Sequence, residues 1–585
     1  MSRSLLVLIV VLVMPILASA KFSLLEAEAS GIPSPWEVTI TSPFERVPHF
    51  GYLPVTVRYE NRSPRPLRWD LQFRAGNGLG TGNGEWTSEF LVSAPPQSTG
   101  VEQLLIPLPP QLARGRSNSV DVTLVRGSFR RSGYHSNHAH NSFPTLAITE
   151  PLLLGREDEL SEALDNEFAT IRGSTPVSIP CDPSSFSPDP LAFSGIDVLL
   201  LTSKEWTDLP EPVKTGLLRW VQEGRDLLFA DSLPSSVPPR SSWGLGWIQS
   251  LASPAKNSLP IPKLVRHMQR TKTNTLEDLR ESYHKSWELR DLLKPREFGS
   301  LFLYLTLLAY AVCIGPLNLF VWAPAGKRHR LFFTVPIIST LTSFLLAVLI
   351  LFQDGLGGEG KRAGLLLLAA GPEERGALLI QEQLSRSGVL TNRSFPLSST
   401  TSIYPGILLQ TPWTFFDTSY GSTASFRFKE GRTAGDHFRS RSEQAHRIVH
   451  RFPSRNRIEL LPSDDDVPQL LSSLEVPIRD ALYFAPDGRF WQASGLTSPG
   501  EPFALLEISE EEARAWQAQA AKTLSLSLQT RLTQAIKNGM TENGSCLGFL
   551  PLKEDASAIS VASLPSIRWK DEPFLLITSP VPPSA

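Results

Sequence analysis

The sequence predicts a multidomain membrane protein: a β-sandwich and an α/β domain, then a two-helix transmembrane hairpin, then a C-terminal α+β or mainly β domain. Three observations carry that expectation. Residues 298–322 and 331–352 are uncharged apolar stretches separated by the turn APAGKRHR, and at about 1.5 Å per residue each crosses a hydrocarbon core of about 30 Å. From Trp36 to Arg126, runs such as WEVTI, LPVTVRYENRS, LRWDLQFRA and SVDVTLVRG alternate apolar and polar residues between Pro, Gly and Asn breaks, the pattern of an antiparallel sandwich. From Thr145 the units lengthen: LAITEPLLLG, IDVLLL and RDLLFAD are apolar runs separated by amphipathic helical stretches, which is how a parallel sheet covered by helices reads.

Each element follows in order. Arg3, the apolar run Leu5–Leu17 and Ala18-Ser19-Ala20 form a secretory signal peptide over residues 1–20,. The sandwich is expected over 21–130, with Val55, Val57 and Tyr59 on one face of its clearest strand and Thr56, Arg58 and Glu60 on the other,. The α/β domain is expected over 131–254, where Leu217, Leu218, Trp220 and Val221 supply the buried face of a helix that Gly224 helps to end,. Residues 255–297 carry ten Lys or Arg against six Asp or Glu and read as a basic helical stalk, lying near lipid headgroups or docked on its own domain,. The first span, 298–322, holds Gly315, Pro316 and Asn318, and Asn318 is placed to bond Thr340, Thr342 or Ser343 of the second span, 331–352,. Residues 323–330, with Lys327, Arg328 and Arg330, are expected to be a cytoplasmic loop,. The basic flank Arg280, Lys285, Arg290, Lys294 and Arg296 argues the other way, but long domains behind a signal peptide cross largely regardless of charge. The C-terminal extracytoplasmic domain, 353–585, is expected to be strand-rich, with a turn at Pro486-Asp487-Gly488 and one helix opening at Glu510,.

Charge and cysteine exclude several function classes. The 56 basic and 58 acidic residues nearly cancel, so no global field draws the chain to nucleic acid. Cys181, Cys313 and Cys546 make no disulfide framework; two buried thiols or a Cys181–Cys546 bridge are both open for the pair outside the spans,. His135, His138 and His140 in GYHSNHAHNSF could approach one zinc or copper ion, yet they fit no closed four-ligand motif,. His446 and His450 have i, i+4 spacing, but His-Arg-Ile-Val-His lacks the glutamate of a zinc protease, so His437, His446 and their basic neighbours read as a solvated face,. No ionisable group lies inside either span, which argues against a conduction or proton path,.

The unit GIDVLLLTSKEWTDLPEPVKTGLLRWVQEGRDLLFAD resembles the strand–helix–strand core of class I glutamine amidotransferase-like domains in bacterial membrane proteins of unknown function. The preceding strand GYLPVTVRYEN and the later GPLN in a span are similar to that family's order, over roughly residues 36–350. The resemblance implies an α/β fold without its catalysis. An active member needs a cysteine on a glycine-flanked elbow with an activating histidine, whereas Cys181 sits in SIPCDPSS, which reads as a turn. The DSLPSS stretch likewise misses the D-x-S-x-S spacing of a magnesium-binding von Willebrand-type domain.

The expected function is therefore a non-catalytic, membrane-anchored envelope scaffold or binding module. Its expected partners are the lipid bilayer and an envelope protein, with no nucleic acid, no cofactor and no catalytic or metal residue. The alternative is an extracytoplasmic enzyme of unrecognised type, metal-dependent through His135, His138 and His140.

Overall fold

The computed structural model describes residues 22–29, 34–48, 50–77, 86–108, 118–136, 145–172, 177–237, 241–243, 245–251, 259–270, 300–368, 376–396, 400–404, 407–409, 424–429, 432–462, 466–523, 532, 544–551 and 564–578. The signal-peptide segment, His138, His140 and the stretch 271–299 lie outside them.

Among the described residues the N-terminal region forms eight strands: β1 (Ser23–Glu28), β2 (Trp36–Thr41), β3 (Gly51–Asn61), β4 (Leu67–Asn77), β5 (Trp86–Ala94), β6 (Ser98–Leu108), β7 (Asn118–Arg126) and β8 (Phe129–Ser136). One sheet runs β1-β2-β3-β6, and the other contains β5-β4-β7-β8. Val55 and Val57 of β3 are buried while Arg58 is exposed, so the period of two sends one set of side chains inward. They share a core with Trp36 of the neighbouring β2 and with Trp69, Phe73 and Val122 of the facing sheet. Trp36 and Trp69 pack edge to face at 5.9 Å between ring centroids.

The next region builds a parallel sheet from β9 (Thr145–Thr149), β10 (Val177–Cys181), β11 (Val198–Leu201), β12 (Asp226–Phe229) and β14 (Gly246–Ser250), with antiparallel β13 (Ser241–Trp243) at one edge. Its order is β10-β9-β11-β12-β14-β13. Numbered from its first parallel strand, that is the doubly wound 2-1-3-4-5 arrangement. Its helices are α1 (Glu150–Leu153), α2 (Glu157–Arg172), α3 (Ser203–Asp208), α4 (Glu211–Gln222) and α5 (Ile261–Arg270). One face buries Leu217, Trp220 and Val221 of α4 in a core continuous with the sandwich. The other buries α1, α2 and α5 through Leu152, Leu160 and Leu264. The stretch expected to begin a stalk at residue 255 therefore starts with a helix docked on the sheet: Leu264, Val265 and Met268 form an apolar stripe that only burial satisfies,.

Among the described residues, two helices are long and apolar enough to cross a membrane. The first is α6 (Ser300–Val312) continued by a π-helical segment, Cys313–Trp322; the second is α7 (Leu331–Asp354). Pro316 lies inside the π segment, where a missing N–H and ring sterics disfavour a regular α-helix. The expected Asn318 bond to the second helix does not form. Asn318 is buried, but neither atom of its side-chain amide has a hydrogen-bond partner, because the π register rotates every residue after Pro316 relative to a continuous α-helix. Tyr310 and Ser339 hydroxyls join the helices instead, at 3.2 Å.

The chain after α7 forms β15 (Gly358–Leu368), β16 (Gly376–Ser387), β17 (Phe395–Pro396), β18 (Thr401–Ile403), β19 (Ile407–Leu409), β20 (Ala424–Lys429), β21 (Arg432–Gly435) and β22 (Glu443–Pro453). It continues with β23 (Ile458–Leu461), β24 (Gln469–Ser472), β25 (Ile478–Phe484), β26 (Phe490–Thr497), β27 (Leu506–Ile508), β28 (Ser545–Leu550), β29 (Ile567–Asp571) and β30 (Phe574–Thr578). A large sheet runs β18-β22-β16-β15-β30-β28-β25-β26-β27, with β19 on β22 and β29 on β15. Leu365 and Leu366 of β15 enter cores on opposite faces. Helix α8 (Glu510–Thr523) covers the Leu365 face with Ala513 and Ala520. The C-terminal region is thus mainly β, with one helix against its large sheet among the described residues.

One feature departs from the expected division at the membrane. Strands β20, β21 and β17 do not join the large sheet; they extend the sandwich, in the order β17-β21-β20-β5-β4-β7-β8. Ala424 lies opposite Trp86 and Ser425 opposite Thr87 in a parallel β20–β5 pair, and Trp86 packs on Phe426 at 5.1 Å between centroids. A second seam ties the α/β domain to the large sheet. Tyr404 Oη donates to Glu223 Oε2 at 2.6 Å, Arg451 pairs with Glu223, and Arg451 also donates to the Arg219 carbonyl at 3.0 Å. Residues 353–585 are therefore not a separate unit. Segments distant in sequence complete one another's sheets, a pairing that local periodicity cannot encode.

Candidate functional site

In an open parallel sheet, ligands bind beyond the carboxyl ends of the strands where the strand order reverses. Here that crevice lies at the ends of β9 and β11. Short loops from these strands place Thr149, Thr202, Ser203 and Glu205 there, and the end of β12 adds Asp231.

These polar groups are spent on one another. Glu205 Oε2 accepts from Thr202 N at 2.8 Å, Thr202 Oγ1 at 2.9 Å and Thr149 Oγ1 at 3.0 Å. Thr202 Oγ1 in turn accepts from Glu205 N at 3.1 Å, closing a capping box at the start of α3,. Asp231 accepts from Ser203 N at 2.8 Å and Ser203 Oγ at 2.6 Å. Both carboxylates thus satisfy helix-terminal donors.

Cys181 is the last residue of β10, not part of a turn; the turn follows it, with Asp182 Oδ1 accepting from Ser184 N at 3.0 Å. Segment 42–47 closes over the thiol. Phe44 bridges Cys181, Asp182 N donates to the Pro43 carbonyl at 2.9 Å, and Glu45 N donates to the Pro180 carbonyl at 3.0 Å. Phe44 packs on Phe186 and Phe193. Burial pushes the thiol well above its ordinary range, and the Glu205 and Asp182 charges push the same way. A thiolate nucleophile requires the opposite shift. Cys181 and Cys546 are both free and buried, so no bridge joins them.

His135 ends the sandwich at β8 and hydrogen-bonds the Phe44 backbone, while burial lowers its pKa. Its Nε2 is enclosed without a partner. With that imidazole committed to a segment that seals Cys181, purified full-length protein is expected to hold no stoichiometric zinc or copper. Elemental analysis checks this; one equivalent lost on changing His135, His138 and His140 to alanine would contradict it.

The C-terminal histidines correct the expectation of a solvated basic face. His437 and His446 are fully buried among Phe395, Phe426 and Phe438. His446 Nε2 donates to the His437 carbonyl at 2.6 Å. His446 and His450 lie on strand β22, where four residues span about 13 Å, so their spacing is not the one-turn spacing of a helical metal motif. The neighbouring Arg447 is also buried, paired with Glu382 at 3.0 Å. Sequence missed this because pairing, not composition, decides whether a charged strand face can be buried.

Burial holds both imidazoles neutral, His437 down to about 3, where the nearby His446 adds to the effect, and His446 to about 4. The unfolded chain protonates near 6.5. Stability is therefore complete above that value and falls as pH drops from it toward the folded values, by up to about 1.4 kcal/mol per pH unit for each histidine. Between pH 7 and pH 5 the expected loss is about 2 kcal/mol per histidine. Urea midpoints across that range check the slope, and His437→Leu should flatten it whatever its effect at pH 7.

No family model matches this chain, and no curated protein matches it. Some solved structures share short segments with it. A Paenibacillus sp. cycloisomaltooligosaccharide glucanotransferase complexed with cycloisomaltoheptaose is 12% identical over 28% of this chain and 19% of that one, with a TM-score of 0.15. The Bacteroides uniformis β-glucuronidase 2 is 12% identical over 33% of each chain, with a TM-score of 0.16. A glycosyl hydrolase family 2 member from Bacteroides cellulosilyticus is 12% identical over 34% of this chain and 32% of that one, with a TM-score of 0.15. The chain spans a third or less of these proteins, and similarity this low carries neither fold nor function.

Proposed function

We propose that the protein is a non-catalytic envelope scaffold, anchored by the two-helix hairpin and presenting its sandwich and α/β domain outside the cytoplasm. The main support is the carboxyl edge of the parallel sheet, where Glu205 and Asp231 serve as helix caps and Phe44 seals Cys181. The doubly wound strand order is compatible with an amidotransferase-like ancestry in which the fold was kept and the nucleophile lost. The seams support this topology: β5 and β20 share a sheet although both apolar helices lie between them in sequence. Two crossings return a chain to its starting side, so a hairpin crossing the bilayer leaves both soluble regions together. The exposed Lys327, Arg328 and Arg330 between the helices fit a cytoplasmic tip,.

Electrophilic thiol probes and fluorophosphonates applied to native membranes test the chemistry. The expected result is no labelling of Cys181 or Ser203. Stoichiometric labelling of either, blocked by Cys181→Ser or Ser203→Ala, would replace the scaffold with an enzyme. A cytoplasm-only fluorescent reporter fused at Ala585 should stay dark.

A further inference from the structure

The large C-terminal sheet enters the bilayer end of α7 without slack. The apolar run of that helix ends at Phe352, and only Gly355–Gly357 separate Asp354 from β15. All three linker residues are fixed. Gly355 and Gly357 adopt φ of 71° and 80°, and a Cβ on Gly357 would lie 2.2 Å from the Ser566 carbonyl oxygen. Val389 N donates to the Gly355 carbonyl at 2.9 Å, Gly357 N to the Val389 carbonyl at 3.1 Å, and Gly358 N to the Ser566 carbonyl at 3.1 Å. Three residues reach at most about 11 Å. The loops bonded to this linker are consequently held within the depth of a headgroup layer wherever α7 spans a bilayer.

Those loops are rich in arginine. Residues 388–394 carry Arg393, and residues 436–442 carry Arg439 and Arg441, anchored by Arg441 N donating to the Gly388 carbonyl at 2.9 Å. Arg386 and Arg568 stand at the adjoining strand ends, and Arg393, Arg441 and Arg568 are exposed. The acids at this end are Asp354, the last residue of α7, Asp436, which pairs with Arg393 and Arg439, Glu443, which pairs with Arg386, and Glu359, opposite Arg568 in register. Five arginines thus meet four carboxylates. The linker's one side chain, Leu356, is 72% exposed at the same level. Planar guanidinium groups match phosphate oxygens in pairs, and an apolar residue beside them suits the boundary between headgroup and acyl chain.

We infer that this base of the C-terminal sheet is a docking face for acidic phospholipid headgroups, clamping the soluble body onto the leaflet that α7 enters. The inference rests on the membrane-anchored reading. It gives the hairpin a second role, because α7 and β15 then move as one piece and the sheet is set at a fixed angle to the membrane.

The test reconstitutes the full chain, with Cys313→Ser, into vesicles of phosphatidylcholine with or without phosphatidylglycerol. A fluorophore is placed on Thr391→Cys at the proposed face or on Pro486→Cys at the opposite end of the sheet. The expected result is quenching of the Thr391 label by headgroup spin-labelled lipid, stronger with phosphatidylglycerol, and none at Pro486. Replacing Arg393, Arg441 and Arg568 with Gln should lower phosphatidylglycerol retained by the purified protein, by about fivefold for each arginine engaged, at unchanged melting temperature. If the chain floats with vesicles while both labels escape quenching, the docking face is wrong and the anchor stands. Equal quenching in both lipid mixtures, unaffected by the arginine changes, rules out acidic lipid as the partner. Failure to float removes the membrane reading and this inference together.

Discussion

Asp197→Ala should lower unfolding stability by about 3–5 kcal/mol, the usual cost of removing one partner from a buried ion pair. Asp197 stands at the start of β11 with 1% side-chain exposure, facing Arg225 with 2%. Its Oδ1 accepts from Arg225 Nη1, and its Oδ2 accepts from Thr145 N at 2.9 Å. Arg225 also donates to the Ser194 carbonyl at 3.1 Å and lies over Phe50. Alanine would strand a guanidinium with no countercharge in that pair and leave a β9 N–H without its carboxylate. Replacing both partners, Asp197→Ala with Arg225→Met, should recover much of the loss, since it is the stranded charge that costs most. Denaturant midpoints in detergent check both variants; a loss below about 1 kcal/mol in the single variant contradicts the assignment.

The second large effect is expected at the seam between the halves. Glu223 is 6% exposed and binds Tyr404 and Arg451 from beyond the hairpin. Glu223→Ala leaves a buried phenol hydroxyl without its acceptor and a mostly buried arginine without its charge, at about 3–5 kcal/mol. Unlike Asp197→Ala, it should loosen two parts of the molecule rather than unfold one. Limited proteolysis should release an α/β-containing fragment more readily, and Tyr404→Phe should show a smaller change in the same direction. An unchanged digestion pattern in Glu223→Ala would mean that the sheet pairing alone holds the halves together.

What was legible in the sequence was local. Strand β3 announced itself by alternation, and the β25–β26 hairpin by Asp487-Gly488, with Gly488 at φ of 88°. Strand β16 was hidden because Gln381, Glu382 and Gln383 interrupt its apolar run; in the fold Glu382 meets Arg447, and Gln381 donates to Gln383 at 3.1 Å. Strand β8 was hidden because FRRSGYHS has no apolar alternation. Its neighbour β7 supplies the ladder instead. At the candidate site, SIPCDPSS reads as a turn, whereas Cys181 ends β10 and the turn follows it. The closure by Phe44, more than a hundred positions earlier, depends on tertiary packing that no spacing rule records.

The most direct test of the interlocked body joins its two halves chemically. Thr87→Cys on β5 and Ser425→Cys on β20 are opposite in register, and a cleavable protease site can be inserted in loop 323–330. Membranes are treated with a short bifunctional thiol reagent, solubilised and cut at that site. One cross-linked species near full mass, lost when either cysteine is omitted, is the predicted result. Two separate fragments despite complete labelling of both cysteines would show that the halves do not share a sheet.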